Sequence, residues 1–160
     1  MVCAFTGHRP QRLPWRDDET DPRCAALKLR MAQEIQGLCE AGFDTFLCGM
    51  AMGCDLYFAQ AVLEVREIGN LALWAVLPYD AQSARWPLEQ RTRHGVLCDA
   101  ADRVLSLEDG YTDGCMLRRN RWMVDRADCL LTVYDGGPGG TGATVHYAKQ
   151  RGVLLHPLWL

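Results

Sequence analysis

Glycine is concentrated in one short segment near the end of the chain, between Asp135 and Gly142. Glycine lets backbone N–H groups approach an anion without an intervening Cβ, and the N-terminus of the helix predicted to follow adds unpaired donors and a favourable dipole. No Gly-Lys-Ser/Thr sequence follows, so the segment is not a Walker A loop. We therefore expect it to hold a phosphate, the alternative being a flexible turn. The residues expected at the phosphate are Gly136, Gly137, Gly139, Gly140 and Thr141.

Two further segments with related chemistry follow predicted strands. Gly7, His8 and Arg9 follow the first strand, and Gly49 and Gly53 follow the second. Open parallel sheets bind ligands at the carboxyl ends of their strands, so all three segments are expected to meet at one edge. A guanidinium there can bind phosphate in bidentate fashion, although most arginines are solvated. We assign these five residues to the same predicted nucleotide-binding site.

Asp55 is the candidate carboxylate of this edge. It lies at a strand-to-helix turn, where an aspartate is at least as often a helix N-cap as a functional group. In a functional role it would hold ribose hydroxyls or stabilise a developing oxocarbenium ion. The neighbouring Cys54 is either a thiolate nucleophile, which a helix N-terminus stabilises, or a packed and inert thiol, and we favour the packed thiol.

A predicted helix before the glycine segment carries Arg118, Arg119 and Arg121. Such a run forms either a basic face towards the ligand or an ordinary solvated surface. Tyr79 and Trp86 are candidates to stack on a base, although aromatic side chains more often pack in a core. No spacing of histidine or cysteine indicates a metal site, and the predicted chemistry requires no cofactor besides a nucleotide ligand.

Short apolar runs alternate with amphipathic stretches along the chain, which is the pattern of repeated βα units. The first helix is predicted to begin with Asp21 as N-cap and Pro22 as its first residue, and to end at Gly42. The predicted strands are residues 2–6, 45–48, 71–77, 103–107, 129–134 and 153–156; the other predicted helices are 55–66, part of 81–101, 117–126 and 141–151. The expected fold is α/β: a single Rossmann-like three-layer domain over residues 1–160, doubly wound on a mainly parallel sheet.

Composition limits the function classes. The 160 residues are 49% hydrophobic and 23% charged, with a net charge of −3. This acidic balance argues against a general nucleic-acid binder, which usually carries excess positive charge. The eight cysteines are scattered, with no CxxC pair, and neither a signal peptide nor a long apolar run is present. We expect a cytoplasmic protein with reduced cysteines and no membrane partner.

Five motifs are spread along nearly the whole chain. They are Thr6 to Pro10, Gly49-x-x-x-Gly53-x-Asp55, Pro78-Tyr79-x-x-Gln82-x-x-x-Trp86, Arg119-Asn120-x-x-Met123-x-x-x-Ala127-Asp128, and Tyr134-Asp135 with Gly139-Gly140-Thr141. Together they resemble the SLOG superfamily, which joins the DprA/SMF proteins and the LOG (Lonely Guy) phosphoribohydrolases, and within it the YpsA/YoqJ-like family. The resemblance implies a parallel-sheet fold that binds a nucleotide-type ligand at the carboxyl edge, commonly as a homodimer.

Comparison with the LOG enzymes suggests a counterpart of their functional arginine but none of their catalytic glutamate. Their Met-x-x-Arg-Lys-x-x-Met segment resembles residues 116–123, which aligns their functional arginine with Arg119. Their Pro-Gly-Gly-x-Gly-Thr-x-x-Glu loop resembles Pro138 to Thr144, but Thr144 stands where the catalytic glutamate would be. General-base assistance is worth roughly 10²–10⁴-fold, so the resemblance does not extend to hydrolysis by that route. Asp55 and Asp135 are the carboxylates that could substitute for it.

Three functions are carried forward. The leading hypothesis is a binding protein, such as a sensor, for a small nucleotide-derived molecule of the ADP-ribose or NAD type, with Asp55 near the ribose and Arg119 and Arg9 neutralising phosphate. The second is a nucleoside or nucleotide N-glycosidase or ribosyl transferase, with Asp55 and Arg119 as its catalytic candidates. The third is a DprA-like accessory that binds single-stranded DNA, which would require a basic, aromatic-lined groove.

Overall fold

Six parallel strands form one sheet in the computed structural model, which describes residues 1–160. The order across the sheet is β4-β3-β2-β1-β5-β6, and every neighbouring pair is parallel. The predicted α/β class and Rossmann-like arrangement are therefore confirmed. The strands are β1 (Val2–Gly7), β2 (Thr45–Cys48), β3 (Ala72–Leu77), β4 (Arg103–Ser106), β5 (Cys129–Tyr134) and β6 (Leu154–Trp159).

Five helices connect consecutive strands. The first begins and ends with the predicted signals: Asp21 accepts a hydrogen bond from the backbone N–H of Arg23, Pro22 is its first residue, and Gly42 follows its end with a φ of 99°. A short 3₁₀ turn, Pro10–Arg12, lies in the loop after β1. The helices are α1 (Pro22–Glu40), α2 (Cys54–Arg66), α3 (Leu88–Ala100), α4 (Cys115–Asp125) and α5 (Gly140–Gln150).

Alternate residues of each strand face opposite layers of helices. In β1, Cys3 and Phe5 belong to the larger core, which includes residues of α1, α2 and α3, whereas Ala4 belongs to a smaller core with residues of α4 and α5. The ring of Phe5 stacks on that of Phe58 from α2, with 4.4 Å between centroids. Both faces of the sheet are thus covered, which is why its central strands are continuously apolar.

The strand order changes direction between β1 and β5. From β1 the chain moves outward through β2 and β3 to β4, and it then returns to place β5 on the other side of β1. The loops after β1 and β5 consequently leave the sheet towards opposite helical layers and open a crevice between them. The carboxyl edge at this switch point is where the predicted ligand segments converge.

Element bounds differ from the predicted ones mainly at the ends. The last strand runs from Leu154 to Trp159 rather than ending at residue 156, because Pro157 is tolerated in an edge strand. Helix α4 starts at Cys115 rather than residue 117, and α2 starts at Cys54 rather than residue 55. All eight cysteines are free thiols, and six of them are buried. No helix combines the length and the apolar character needed to cross a membrane.

Candidate functional site

A cavity of about 200 Å³ lies at the switch point, between the ends of β1 and β5 and the start of α4. It brings together seven of the predicted site residues from four separate segments of the chain. We call it the switch-point cavity. It is lined by Thr6, Gly7, Arg9, Ala51, Asp55, Met116, Leu117, Arg119, Asn120, Gly139, Gly140, Thr141 and Ala143.

The N-terminus of α5 forms one wall of this cavity. Its N-cap, Gly139, has a φ of 139°, a conformation that side chains disfavour, and provides no side-chain cap. The first backbone N–H of this end with a protein acceptor is that of Ala143, which donates to the Gly139 carbonyl at 2.9 Å. The N–H groups of Gly140, Thr141 and Gly142 have no protein partner. Together with the helix dipole, these three donors make an anion-binding end.

The first half of the glycine segment has a different role. The Asp135 carboxylate accepts from the Gly137 N–H at 2.8 Å and from the Arg12 guanidinium at 3.0 and 2.9 Å, and Arg12 also donates to the Pro138 carbonyl at 2.6 Å. The Gly137 N–H and the neighbouring Arg12 lower the pKa of Asp135 to about 2. Gly136 and Gly137 do not line the cavity. This half braces the loop.

His8 joins three loops without lining the cavity. Its Nε2 lies 3.1 Å from the backbone N of Asp135, and its carbonyl accepts from the Cys54 N–H at 3.1 Å. Burial lowers the pKa of His8, so its neutral ring accepts the Asp135 N–H. Gly53, also outside the cavity, caps the start of α2 beside the His8 carbonyl. Both residues fix the position of the loops around the cavity.

Asp55 presents a buried carboxylate to the cavity. Gly53 is the N-cap of α2, so Asp55 is a first-turn residue and not the cap. Its side chain is only 6% exposed, and Oδ2 accepts from the Ala51 N–H at 3.1 Å, while Oδ1 has no protein donor. Burial raises the pKa of Asp55, and the positive charge of Arg119 and the Ala51 hydrogen bond oppose that shift. One carboxylate oxygen is therefore left for a ligand.

Arg119 reaches the same cavity from α4. Its guanidinium is 3% exposed and donates to the carbonyls of Gly49 and Val76, the latter at 3.2 Å, and to Asn120 Oδ1 at 2.7 Å. A Cβ on Gly49 would lie 2.5 Å from the guanidinium carbon, so this position admits only glycine without displacing Arg119. Burial lowers the pKa of Arg119, but arginine remains charged at neutral pH. Asp55 partly neutralises it.

Arg9 is the second cation at the cavity. Its side chain is exposed and makes no hydrogen bond or ion pair within the protein. Arg9 and Arg119 therefore differ in kind: one is a fixed, buried cation and the other is a free guanidinium at the rim. This pairing suits a dianionic phosphate, which needs both charge and adaptable donors.

Thr144 is a satisfied structural residue. Its hydroxyl donates to the Gly140 carbonyl at 2.9 Å and accepts from Asn120 Nδ2 at 2.9 Å, and the residue is 2% exposed. Thr144 thus links α4 to α5 at the position where LOG enzymes carry their glutamate. Cys54 is likewise inert, because it is fully buried and burial raises its thiol pKa far above neutral pH.

Two other depressions lie near the switch-point cavity. One, of about 930 Å³, is lined by four acidic residues but only two arginines, which makes it unsuitable for phosphate. The other, of about 500 Å³, follows β3 and includes the predicted stacking residues Tyr79 and Trp86 together with Tyr111. We call this second depression the aromatic groove.

Sequence reasoning did not identify three residues that build the site. Arg12 is unremarkable in a charged loop, yet it braces the glycine segment through Asp135. Asn120 and Gln82 occur in the motifs of the resemblance, but nothing in the sequence assigned them contacts. Gln82 Nε2 donates to the Gly49 carbonyl at 3.0 Å, the same acceptor that Arg119 uses.

Residues 3–151 match the family model described as YspA SLOG family, also written YpsA. The match includes every loop of the switch-point cavity. The chain belongs to the YspA SLOG family. This confirms the resemblance that the five motifs indicated, and it places the loops of this YspA SLOG protein in a family context without assigning them a ligand.

Sequence relatives of this YspA SLOG protein have names that state no activity. The UPF0398 protein OB1025 of Oceanobacillus iheyensis is 27% identical over 144 residues, which are 88% of this chain and 77% of that protein. A UPF0398 protein of Bacillus thuringiensis is 26% identical over 158 residues, covering 96% of this chain and 85% of that protein.

Solved structures with a similar fold include two DNA processing proteins. DNA processing protein A of Helicobacter pylori, described as having a single-stranded DNA binding mode, superposes with a TM-score of 0.64 at 14% identity over 98% of this chain and 64% of its own. DNA processing protein A (DprA) of Streptococcus pneumoniae superposes with a TM-score of 0.68 at 15% identity, over 98% of this chain and 49% of the DprA chain. This chain therefore spans about half to two thirds of their length, and the likeness is one of fold.

Proposed function

We propose that this protein binds a small nucleotide-type ligand, with a phosphate of the ligand held on the N-terminus of α5. The observation that carries the proposal is the convergence of the unpartnered N–H groups of Gly140, Thr141 and Gly142 with two guanidinium groups, those of Arg9 and Arg119. Free backbone donors, a helix dipole and two cations on one wall are the chemistry of phosphate recognition.

The carboxylate of Asp55 favours the binding of a ribose next to the phosphate. Its Oδ1 has no protein donor, and Asp55 lines the cavity that Arg119 also lines. A carboxylate oxygen accepts hydrogen bonds from vicinal hydroxyls, and a buried one discriminates strongly against ligands that lack them, because the unpaired charge would stay desolvated. The cavity volume of about 200 Å³ accommodates a phosphate and sugar, but it is below the size usual for a whole drug-sized ligand.

Calorimetric titration with ribose 5-phosphate, AMP and ADP-ribose tests the proposal. We expect heat of binding for at least one of them, and a loss of about ten-fold or more in affinity for Arg9→Gln, whose side chain supports no other part of the fold. Arg121→Gln is the matched control, because it removes an exposed arginine of α4 that lies outside the cavity. Absence of binding by folded wild-type protein would falsify the proposal.

Asp55 also supports a second candidate function, that of an N-glycosidase or ribosyl transferase. A buried carboxylate beside a fixed cation can stabilise an oxocarbenium ion at C1 of the ribose while Arg119 holds phosphate. Chromatography of AMP incubated with the protein would detect released adenine. Adenine release that is abolished in Asp55→Asn supports an enzyme. Binding of AMP without release of adenine supports a binding protein.

A further inference from the structure

The aromatic groove has the composition of a site for a flat ring. It is lined by Tyr79, Ala81, Gln82, Ala84, Arg85, Trp86 and Tyr111. The rings of Tyr79 and Tyr111 meet edge to face, with centroids 5.8 Å apart and planes at 86°. Neither phenol hydroxyl has a protein partner, and Arg85, which forms no ion pair, is the only charged residue of the lining. The groove therefore favours an uncharged aromatic group with polar edges.

One wall of the groove is held rigid from below. Trp86 packs edge to face on His94, with centroids 5.1 Å apart, and His94 Nε2 lies 3.0 Å from Gln82 Oε1. Burial lowers the pKa of His94, so this pair is a neutral hydrogen bond at physiological pH. Gln82 and His94 are both buried. The tryptophan face is thus positioned before any ligand arrives, which reduces the entropic cost of stacking.

The other wall is held by α4. Arg118 donates to the Glu108 carboxylate at 3.1 and 3.2 Å and to the Asp113 carbonyl at 2.8 Å, which ties down both ends of the loop that carries Tyr111. Tyr111 itself is 63% exposed, more than a core aromatic would be. An exposed ring on a tethered loop is available for contact with a ligand.

The groove and the switch-point cavity share a wall. Gln82, which lines the groove, donates through Nε2 to the Gly49 carbonyl, and Arg119, which lines the cavity, donates to the same oxygen. Consecutive residues of α4 serve the two depressions, since Arg118 holds the Tyr111 loop and Arg119 reaches the phosphate side. The two depressions are therefore adjacent, separated by the Gly49 carbonyl and the two side chains that donate to it.

We propose that the aromatic groove receives the base of the nucleotide whose phosphate lies on α5, so that the ligand class is one with a neutral, planar heteroaromatic base. This inference rests on the proposed function and adds to it the part of the ligand that the smaller cavity cannot hold. The groove volume of about 500 Å³ is sufficient for a purine. The exposed ring of Tyr111 and the face of Trp86 supply stacking surfaces for the base, and the phenol hydroxyls contact its edge.

Titration of AMP and ribose 5-phosphate against the same variants separates the base from the phosphate. Wild-type protein is expected to bind AMP more tightly than ribose 5-phosphate. Tyr111→Ala should lower the affinity for AMP by about five-fold to a hundred-fold, the range typical of removing one stacking ring. It should leave the affinity for ribose 5-phosphate unchanged. Tyr111→Phe retains the ring and should keep most of the AMP affinity. Tyr79→Leu provides an independent variant in the same groove.

The outcomes distinguish this inference from the proposed function. Equal affinity of wild-type protein for AMP and ribose 5-phosphate, or AMP affinity that neither Tyr111→Ala nor Tyr79→Leu alters, overturns the base site and leaves phosphate binding intact. If Tyr111→Ala keeps its fold but binds neither AMP nor ribose 5-phosphate, the Tyr111 loop serves phosphate binding, and the base site is again overturned. Failure of AMP, ribose 5-phosphate and ADP-ribose to bind wild-type protein overturns the two proposals together.

Discussion

Residues with similar chemistry have different roles in this protein, and burial separates them. Arg9 and Arg12 are close in sequence, but Arg9 is free at the rim while Arg12 is committed to Asp135. Asp135 and Asp55 are both carboxylates after a strand, but Asp135 is exposed and paired whereas Asp55 is buried with one free oxygen. Ligand-binding capacity belongs to the members of each pair that the fold leaves unsatisfied.

The raised pKa of Asp55 predicts a pH-dependent stability difference. A carboxyl group whose pKa is higher in the folded state binds protons more tightly when folded, so its contribution to stability is lost as the pH rises from the ordinary value of 3.8 through the raised pKa. The stability of Asp55→Asn relative to wild type should therefore increase over this window and then level off. Urea denaturation at several pH values between 4 and 8 measures it, and a pH-independent difference would contradict the raised pKa.

Gly49→Ala should damage the proposed phosphate site while sparing the fold. The added methyl would lie 2.5 Å from the Arg119 guanidinium carbon, so the side chain must move, at a cost of about 1–3 kcal/mol in stability. Affinity for AMP should fall about ten-fold or more in calorimetry. Gly95→Ala is the matched control, because no atom lies within 4 Å of its added Cβ, and in the middle of α3 it should stabilise by about 0.5–1 kcal/mol. Unchanged AMP affinity in Gly49→Ala would exclude Arg119 from the site.

At the scale of elements, the site depends on loops that are fixed by side chains of other loops. The glycine segment is held by Arg12 of the 3₁₀ turn and by His8 at the end of β1. The loop before α4 is held by Arg118 of that helix. Such cross-bracing pre-organises the uncapped N-terminus of α5, because the loop entropy is already lost before a ligand binds.

Arg12→Ala tests the bracing of the glycine segment. Removing the guanidinium frees Asp135 and the Pro138 carbonyl, so amide hydrogen exchange at Gly137, whose N–H donates to the Asp135 carboxylate, should become faster and AMP affinity should decrease. Global stability should change little, because the ion pair is exposed and solvent screens it. Arg23→Ala, which breaks an exposed ion pair with Asp21 outside the glycine segment, is the control. Exchange rates equal to those of wild type would show that the glycine segment keeps its conformation without Arg12.

At the scale of the whole molecule, charge distribution argues against general nucleic-acid binding. The net charge is −3, and the depression of about 930 Å³ is lined by more carboxylates than arginines. The fold is shared with DNA processing proteins, but a fold alone does not carry their binding surface. Affinity for DNA requires phosphate contacts along a basic track.

We expect no micromolar binding of a single-stranded oligonucleotide at about 150 mM salt. Fluorescence anisotropy of a labelled poly-dT strand measures this, with the Helicobacter pylori DNA processing protein A as positive control. Backbone neutralisation dominates such affinity, and this surface offers little excess positive charge. Binding that weakens steeply with salt and is lost in Arg9→Gln would instead place a DNA strand at the switch-point cavity.

The local elements of this protein were determined by the sequence itself. Apolar runs separated by amphipathic stretches predict the βα repeat, Asp21-Pro22 and Gly42 delimit α1, and the glycine run before α5 indicates an anion site. These features depend on a few consecutive residues, whose backbone preferences and periodicity are properties of the local chain.

Only the tertiary structure decided which of the marked residues share a cavity. His8, Gly53, Gly136 and Gly137 lie in the predicted loops but serve to fix them, while Asp55, Arg119 and the start of α5 converge from segments up to 85 residues apart. Arg12, Gln82 and Asn120 acquired their roles through partners distant in sequence. Side-chain direction, burial and hydrogen-bond partners arise from packing between elements, which no local pattern encodes.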